Sequence, residues 1–247
     1  MMKNIDLQGL CILNTRPLFQ GASKRFADLI ESHGGKTHAL PMQELKAVHF
    51  SPPENINFQK IIFVSQAAVY FFFQRVKCIP STIEVIAIGE ATASSLKLQG
   101  IQVHYYATEA TSETLLSAPC FQNIVGHAIL WVKGTHGRRH IGEELARRHA
   151  KVTELMVYES ALVNYDKNEL LDIWPKINMI LMTSEQAFNH LKDLCPKDWL
   201  LQQVILCFSQ RLADIAKKSV KGHILICQHN QILETLFTYK VQYANSI

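Results

Sequence analysis

Short apolar runs alternate with amphipathic segments along almost the whole chain. Residues 85–88, Val-Ile-Ala-Ile, are typical of a strand that is buried on both faces, and Gly89 follows it. Residues 91–98 then favour a helix, which Gly100 is expected to end. Strands that alternate with helices form parallel sheets covered by helices on both faces, so this pattern predicts an α/β fold with doubly wound sheets.

The same pattern predicts the other elements of the chain. The expected strands and extended segments are 10–14, 36–40, 60–65, 103–106, 128–132, 151–161, 178–182, 204–208 and 223–227. The expected helices are 22–32, 66–75, 112–116, 141–149, 167–173, 185–194, 211–219 and 230–239. Residues 41–53 are expected to be irregular, and Ser51-Pro52-Pro53 is the strongest break in the sequence, where we place a domain boundary.

Three strand-and-turn units recur in the same order at a nearly constant offset. Residues 63–70 match 182–189, residues 88–93 match 208–213, and residues 12–16 match 129–133 more loosely. Any one pair could arise by chance, but three together indicate a duplicated α/β domain. The strand at 10–14 has no partner unless it joins the last portion, which would make the chain leave a first domain, build a second and return.

Charge and cysteine usage narrow the classes of function. The chain has 25 Lys and Arg against 21 Asp and Glu, and the excess of +4 is spread rather than massed. The densest basic cluster, residues 138–140 with 147–148, is most simply a solvated helix face, so we expect a small anionic ligand and no nucleic acid. No apolar run is long enough for a bilayer and the first residues lack a signal core, so we expect no membrane partner. The six cysteines form no Cys-x-x-Cys pair, as in a reduced cytoplasmic protein.

The candidate chemistry lies at strand ends rather than in a cofactor motif. The turn at Gly89 exposes the first backbone N–H groups of a helix, with the hydroxyl of Thr92 among them, and such a place binds anions. His136 and His140 have the spacing of metal ligands, but no carboxylate or cysteine completes a set, so we expect no metal. Dinucleotide, nucleoside triphosphate and nucleophile-elbow motifs are absent from the sequence, and we expect no cofactor.

The ordered motifs of the chain resemble the uroporphyrinogen-III synthase family of tetrapyrrole and haem biosynthesis. The resemblance covers nearly the whole chain, and the order and spacing of the motifs carry it. The motifs are Thr15-Arg16-Pro17, Ser65-Gln66-Ala67-Ala68-Val69, Gly89-Glu90-Ala91-Thr92-Ala93, Lys133-Gly134 with Gly137-Arg138, Val157-Tyr158-Glu159 and Thr183-Ser184-Glu185-Gln186-Ala187.

The resemblance implies two small α/β domains joined by a two-stranded antiparallel connector, with the active site in the cleft between the domains. Domain 1 would comprise residues 1–40 and 162–247, and domain 2 residues 50–152. The connecting strands would be residues 41–49 and 153–161. We expect a monomer.

The resemblance also implies a reaction, the closure of the linear hydroxymethylbilane to uroporphyrinogen III with loss of water and inversion of ring D. The substrate carries several carboxylates, which helix N-termini, hydroxyls and basic side chains suit. Tyr158 matches the family's connector tyrosine and is the candidate proton donor to the departing hydroxyl, although it could equally only pack between domains. The residues implied for substrate binding are Arg16, Ser65, Gln66, Gly89, Thr92, Gly134, Arg138, Thr183 and Ser184.

Several features leave alternatives open. Ser65 and Thr92 are expected to cap helices as well as face substrate, and Arg16 and Arg138 could be ordinary surface residues. The second copy of the Gly89 turn is Ser209-Gln210-Arg211, which loses the glycine, and Arg211 could supply a charge there instead. The alternative function from another class is a non-catalytic two-domain binder of a small anionic metabolite.

Overall fold

The computed structural model describes residues 5–51, 57–136 and 139–243. Its strands are β1 (Cys11–Asn14), β2 (Lys36–Ala39), β3 (Gln43–Ala47), β4 (Lys60–Phe63), β5 (Glu84–Ala87), β6 (Tyr105–Tyr106), β7 (Ala128–Gly134), β8 (Lys151–Leu162), β9 (Met179–Met182), β10 (Val204–Cys207) and β11 (Ile224–Ile226). Its α-helices are α1 (Ala22–Glu31), α2 (Gln66–Phe73), α3 (Glu90–Leu98), α4 (Ser112–Leu116), α5 (His140–Arg147), α6 (Glu185–Leu194), α7 (Lys197–Gln202), α8 (Gln210–Ala216) and α9 (Ile232–Tyr243).

The chain forms two compact units, which are unit 1 (Met1–Glu44 with Ala161–Ile247) and unit 2 (Leu45–Ser160). Unit 1 contains a five-stranded sheet in the order β11-β10-β9-β1-β2, and every pair in it is parallel. Strand β1 pairs with β9, so the first strand joins the last portion of the chain as the sequence indicated.

Helices cover both faces of the unit 1 sheet. Neighbouring residues of a strand point to opposite faces, so each strand contributes side chains to two cores. Ile12 belongs to a core shared with Phe26 of α1 and Leu236 of α9. Leu13 belongs to a second core on the other face, with helices α6 and α8. Each of the central strands β9 and β10 is buried along its whole length, which explains their continuous apolar runs.

Unit 2 has the strand order β8-β7-β4-β5-β6, again with parallel pairs throughout, and β3 adjoins β8. On one face Ile62 and Trp131 share a core with α4 and α5. On the other face the ring of Phe63 meets Phe72 of α2 edge-on, with centroids 5.2 Å apart. The apolar run Phe71-Phe72-Phe73 is therefore packed against the sheet, as its composition predicts.

These two parallel-dominated sheets with their helices confirm the predicted fold class. They also share one spatial order: β2-β1-β9-β10-β11 in unit 1 corresponds to β8-β7-β4-β5-β6 in unit 2. The matched segments of the sequence repeat thus occupy equivalent strands. In such sheets ligands bind outside the carboxyl ends of the strands at the point where the strand order reverses, which is between β1 and β9 in unit 1 and between β7 and β4 in unit 2.

Strands β3 and β8 each continue across the boundary between the units. Val48 N–H donates to Val157 O and Val163 N–H donates to Met42 O, so the two strands run in opposite directions. The expectation that residues 41–53 are irregular is wrong for β3, whose pairing with β8 overrides weak local signals. Pro52 and Pro53, which carried the predicted break, lie outside the described residues.

Two further differences concern helices. The helix predicted at 167–173 is only a 3₁₀ turn over Lys167–Leu170, and α7 at Lys197–Gln202 was not predicted. Both segments are short, and short helices carry little periodic signal. None of the helices in the described ranges has the length and apolar character that a bilayer crossing would need.

Candidate active site

Ser65 lies where β4 ends and α2 begins, at the predicted ligand edge of unit 2. Its backbone is extended and its Oγ accepts the N–H of Ala68 at 3.0 Å, so it is the N-cap of α2. The same Oγ lies 3.2 Å from the hydroxyl of Tyr158 on β8. The predicted cap is therefore present, and its hydroxyl also contacts the candidate proton donor.

Gly134 and Phe71 fix the position of the Tyr158 ring. The register of β7 against β8 shifts at Lys133 and Gly134, which brings Gly134 opposite Tyr158. A Cβ at Gly134 would lie 2.8 Å from Cζ of Tyr158, so only glycine allows the ring this close. The Tyr158 ring also stacks on the ring of Phe71, with the centroids 5.7 Å apart and an angle of 21° between the planes. Each of these residues belongs to a motif or to a packed run predicted from the sequence, but the stack itself has no sequence signal.

Gly89 and Thr92 lie at the next strand end, because β4 and β5 are adjacent and end level with each other. Helix α3 begins at Glu90, and Gly89 is its N-cap, with a Cβ position only 2.7 Å from Cβ of Ala110. Thr92 therefore lies inside the first turn and is not a cap, which corrects that expectation. It is 4% exposed, and its hydroxyl bonds to none of the described residues.

Gln66 links the two helix starts of unit 2. Its Nε2 donates to the carbonyl of Ala91 at 3.1 Å. The N-termini of α2 and α3 thus lie side by side at one edge of the sheet, where their backbone N–H groups favour anions.

Unit 1 presents a comparable arrangement at the end of β9. Ser184 is the N-cap of α6, accepts the N–H of Ala187 at 3.0 Å and donates its hydroxyl to Oε1 of Gln43 at 2.9 Å. Gln43 in turn donates to Oε1 of Gln186 at 2.8 Å. Thr183, between β9 and this cap, is half-buried. Gln43 was missed in the sequence because nothing in its surroundings marks a polar residue that is buried by a distant helix.

Arg16 follows β1 at the same edge of unit 1. Its guanidinium carbon lies 5.2 Å from the ring centroid of Phe26 and 5.3 Å from that of Phe208. Burial lowers the pKa of Arg16 from its ordinary value, and the nearby positive charge of Arg25 lowers it further, while Cys227 acts in the opposite direction. Phe208 was predicted as the end of a strand, and no sequence signal gave it a role at the site.

The remaining residues named from the sequence are Gly137, Arg138, Ser209 and Arg211. Arg138 and Gly137 lie outside the described residues. Arg211 forms an ion pair with Glu185 at 2.8 Å, so its charge is already balanced, and Ser209 beside it is the N-cap of α8. Within the described ranges, no three His, Cys, Asp or Glu side chains are grouped as metal ligands would be.

The sequence model of the family described as "Uroporphyrinogen-III synthase HemD" matches residues 24–232. The chain belongs to this family. Membership of the uroporphyrinogen-III synthase family confirms the recognition made from the motifs and the predicted function in tetrapyrrole biosynthesis, together with the prediction of a cyclising hydro-lyase. These comparisons give no support to the alternative of a non-catalytic binder.

Individual relatives agree with the family match. The chain is 33% identical to the uroporphyrinogen-III synthase of Escherichia coli K12 over 166 residues, which is 63% of this chain and 68% of that one. It is 33% identical to the enzyme of the same name from Salmonella typhimurium over 139 residues, or 53% and 56% of the two chains.

Solved structures of the family share the fold. A mutant uroporphyrinogen III synthase of the extremely thermophilic bacterium Thermus thermophilus superposes with a TM-score of 0.63 at 17% identity, covering 96% of this chain and 100% of that one. The enzyme of Helicobacter pylori 26695 superposes with a TM-score of 0.65 at 15% identity, covering 94% and 99%.

Proposed function

We propose that this protein closes hydroxymethylbilane to uroporphyrinogen III, with loss of the terminal hydroxyl as water and inversion of ring D. The family membership supports the reaction, and the strand order supports the location of the chemistry at the carboxyl edges of the sheets. The observation that carries the proposal is the contact between Tyr158 and Ser65 at the N-terminus of α2.

Tyr158 is proposed as the proton donor to the departing hydroxyl. Ser65 Oγ already accepts the N–H of Ala68, and its own proton is free to be donated to the phenol oxygen of Tyr158. That direction leaves the phenol proton available for the leaving group. Because the positive end of α2 lies beside the pair, it favours the negative charge that develops on the phenol oxygen.

The other residues are proposed to hold the carboxylates and the shape of the substrate. In unit 2 these are Gln66, Gly89, Thr92 and Gly134, together with Arg138. In unit 1 they are Arg16, Thr183 and Ser184. Most of them present hydroxyls or helix N–H groups rather than titrating side chains, so they support catalysis chiefly by positioning the reacting ends, which lowers a barrier by several kcal/mol.

We further infer that units 1 and 2 are the two functional domains, with connecting strands at 41–49 and 153–161. The passage of β3 and β8 across the unit boundary supports these bounds. A monomer in the cytoplasm, acting on a polycarboxylate without a metal or cofactor, is also part of the proposal. All six cysteines are free thiols, as a reducing compartment requires.

The test is the product isomer. Freshly prepared hydroxymethylbilane closes without enzyme to the I isomer, so the protein is incubated with it and the oxidised products are separated by chromatography. We expect the III isomer in excess over a heat-treated sample. Formation of the I isomer alone would overturn the proposal.

A further inference from the structure

Arg16 is a half-buried cation that has no acidic partner among the described residues. Its backbone N–H donates to Oδ1 of Asn14 at 3.3 Å, which fixes the main chain, but its guanidinium forms no hydrogen bond or ion pair with any described residue. Buried or half-buried charges are ordinarily paired, because removing a charge from water is costly. An unpaired guanidinium at a ligand edge is therefore a candidate anion receptor.

Aromatic rings hold the guanidinium of Arg16 in place of an acid. Phe26 of α1 and Phe208 at the end of β10 both lie within the range of cation–π attraction. Phe208 is itself stacked on the imidazole of His229, with centroids 4.0 Å apart and planes 11° apart. A guanidinium held against ring faces keeps its N–H groups free at its edge, and this edge matches the two oxygens of a carboxylate.

Among the described residues, the groups that act on the charges of this cluster include no carboxylate. The groups that act on the charge of Arg16 are Arg25 of α1 and the thiol of Cys227, whose pKa burial raises. The pKa of His229 is lowered by burial and then by the positive charge of Arg16. No carboxylate in the described chain offsets this local charge, since none acts on either group.

We propose that Arg16 is a carboxylate subsite in unit 1 and that Phe208 and His229 are its positioning residues. The inference rests on the proposed function, because it assigns this subsite to one carboxylate arm of the polycarboxylate substrate. Phe208 sets the plane of the guanidinium, and His229 acts through Phe208 by stacking against its ring. Neither residue was selected by the sequence motifs.

The first test separates positioning from general damage to the fold. Phe208→Leu removes the ring that holds Arg16 and is expected to raise KM about tenfold or more, the equivalent of one charge-assisted hydrogen bond, while kcat stays within about twofold. Phe208→Tyr keeps the ring and is expected to keep KM. Phe237→Leu removes a ring of α9 that packs on the same core, and should leave KM unchanged.

The second test asks what His229 contributes. His229→Phe keeps the stack without a titrating group, so we expect KM close to the wild-type value, whereas His229→Ala should raise it. If His229→Phe raises KM as much as His229→Ala does, or if Phe208→Leu leaves KM unchanged, the positioning role is wrong.

The third test observes the subsite without catalysis. The side-chain Nε–H resonance of Arg16, identified by its loss in Arg16→Lys, is followed by NMR while propionate or the neutral propionamide is added. We expect propionate alone to shift it, and Arg147, which is paired with Glu144, to serve as the unresponsive control. No shift with propionate would overturn the subsite. A shift in a protein that makes no III isomer would instead overturn the proposed function and leave the carboxylate subsite intact.

Discussion

The ring of Tyr158 is held by an unusual set of small and aromatic neighbours. Phe71 stacks on it, Gly134 allows a close approach, and Ser65 reaches its hydroxyl. None of these neighbours is charged, so the help that the phenol gives is that of a well-placed hydrogen bond. A substitution that removes only the hydroxyl of Tyr158 should therefore reveal what this group contributes to catalysis.

Tyr158→Phe is expected to keep the fold and lower kcat by about a hundredfold, at the low end of general acid catalysis. The ring stays because Phe71 and Gly134 contact its carbons rather than its oxygen. Circular dichroism and steady-state kinetics measure the two effects. Tyr105→Phe, on half-buried β6, is the matched control and should leave both unchanged. An unaltered kcat for Tyr158→Phe would remove the phenol from the mechanism.

For single residues of the site, the sequence identified the residues but not the contacts that they make. Ser65, Gly134 and Tyr158 could be selected because each belongs to a motif at a strand end. Phe208 could not, since its role depends on the side chains of Arg16 and His229, which approach it from distant parts of the chain. Packing of this kind is decided in three dimensions and leaves no local pattern.

In this fold, helices repeatedly begin directly after a buried strand. Helices α2, α6 and α8 each begin with a serine whose Oγ accepts a backbone N–H three residues on. The first two belong to the proposed site, while the start of the third is joined to the start of α6 by the Arg211–Glu185 ion pair. One residue type thus serves both as a cap and as a potential ligand group, and mutation can separate these roles.

Ser65→Ala is expected to lower the free energy of unfolding by about 1 kcal/mol and to lower kcat as well. Thr111 caps α4, because its Oγ1 accepts the N–H of Thr114 at 3.1 Å. Thr111→Ala should lower the free energy of unfolding by a similar amount without affecting kcat. Urea unfolding and the isomer assay measure the two effects. Equal kcat values in the two variants would assign Ser65 to capping alone.

A pH effect is expected from helix α5. Hydrogen bonds from Arg147 and Arg148 lower the pKa of Glu144 to about 2 from an ordinary 4.5. Because the folded pKa is lowered, the stabilisation is present above about pH 4.5 and is lost as pH falls towards 2. Glu144→Gln should therefore lower the free energy of unfolding at pH 7 and reduce the fall of that free energy on acidification. Urea unfolding at pH 7 and at a pH between about 2 and 4.5 measures the two effects.

The control for this effect is Glu143→Gln on the same helix, where the carboxylate has no ion pair to a described residue. It should leave the acid dependence as in the wild type. If Glu144→Gln kept the full acid dependence, the arginine contacts would not be its source.

At the scale of elements the buried strands were the most predictable part. Their continuous apolar runs located β4, β5, β7, β9 and β10 to within a residue or two, because burial on both faces leaves a strong signal. Strand β3, with residues Gln-Glu-Leu-Lys-Ala, has no such run, since only Gln43 is buried. Its existence depends on pairing with β8 and could be expected only from the family resemblance.

The two sheets of the molecule have the same strand order, but the two units are built from different numbers of chain segments. Unit 2 is made from one continuous segment, whereas unit 1 is made from two segments that the rest of the chain separates. In unit 1, β1 lies between β2 and β9, so the first segment supplies a central strand as well as the edge strand β2. The sequence repeat predicted this return of the chain because the first strand had no local partner.

Separate fragments should therefore behave differently. A fragment of residues 45–160 is expected to fold alone, with a cooperative urea transition. A fragment of residues 161–247 lacks β1 and should not fold, because the exposed edge of β9 would lose both pairing and apolar cover. Addition of residues 1–44 as a peptide should restore the transition. Cooperative unfolding of residues 161–247 alone would contradict this division.

The pairing of β1 with β9 also bears on synthesis at the ribosome. Thr15 donates its hydroxyl to the carbonyl of Leu181, a residue 166 positions later. At translation rates of about 5–20 residues per second, the first strand must wait on the order of ten seconds or more for its neighbour. During that interval unit 2 has emerged and can fold, while an apolar strand remains uncovered on the nascent chain. A chaperone that binds early-emerging apolar segments would have its natural substrate in residues 10–14 of this protein.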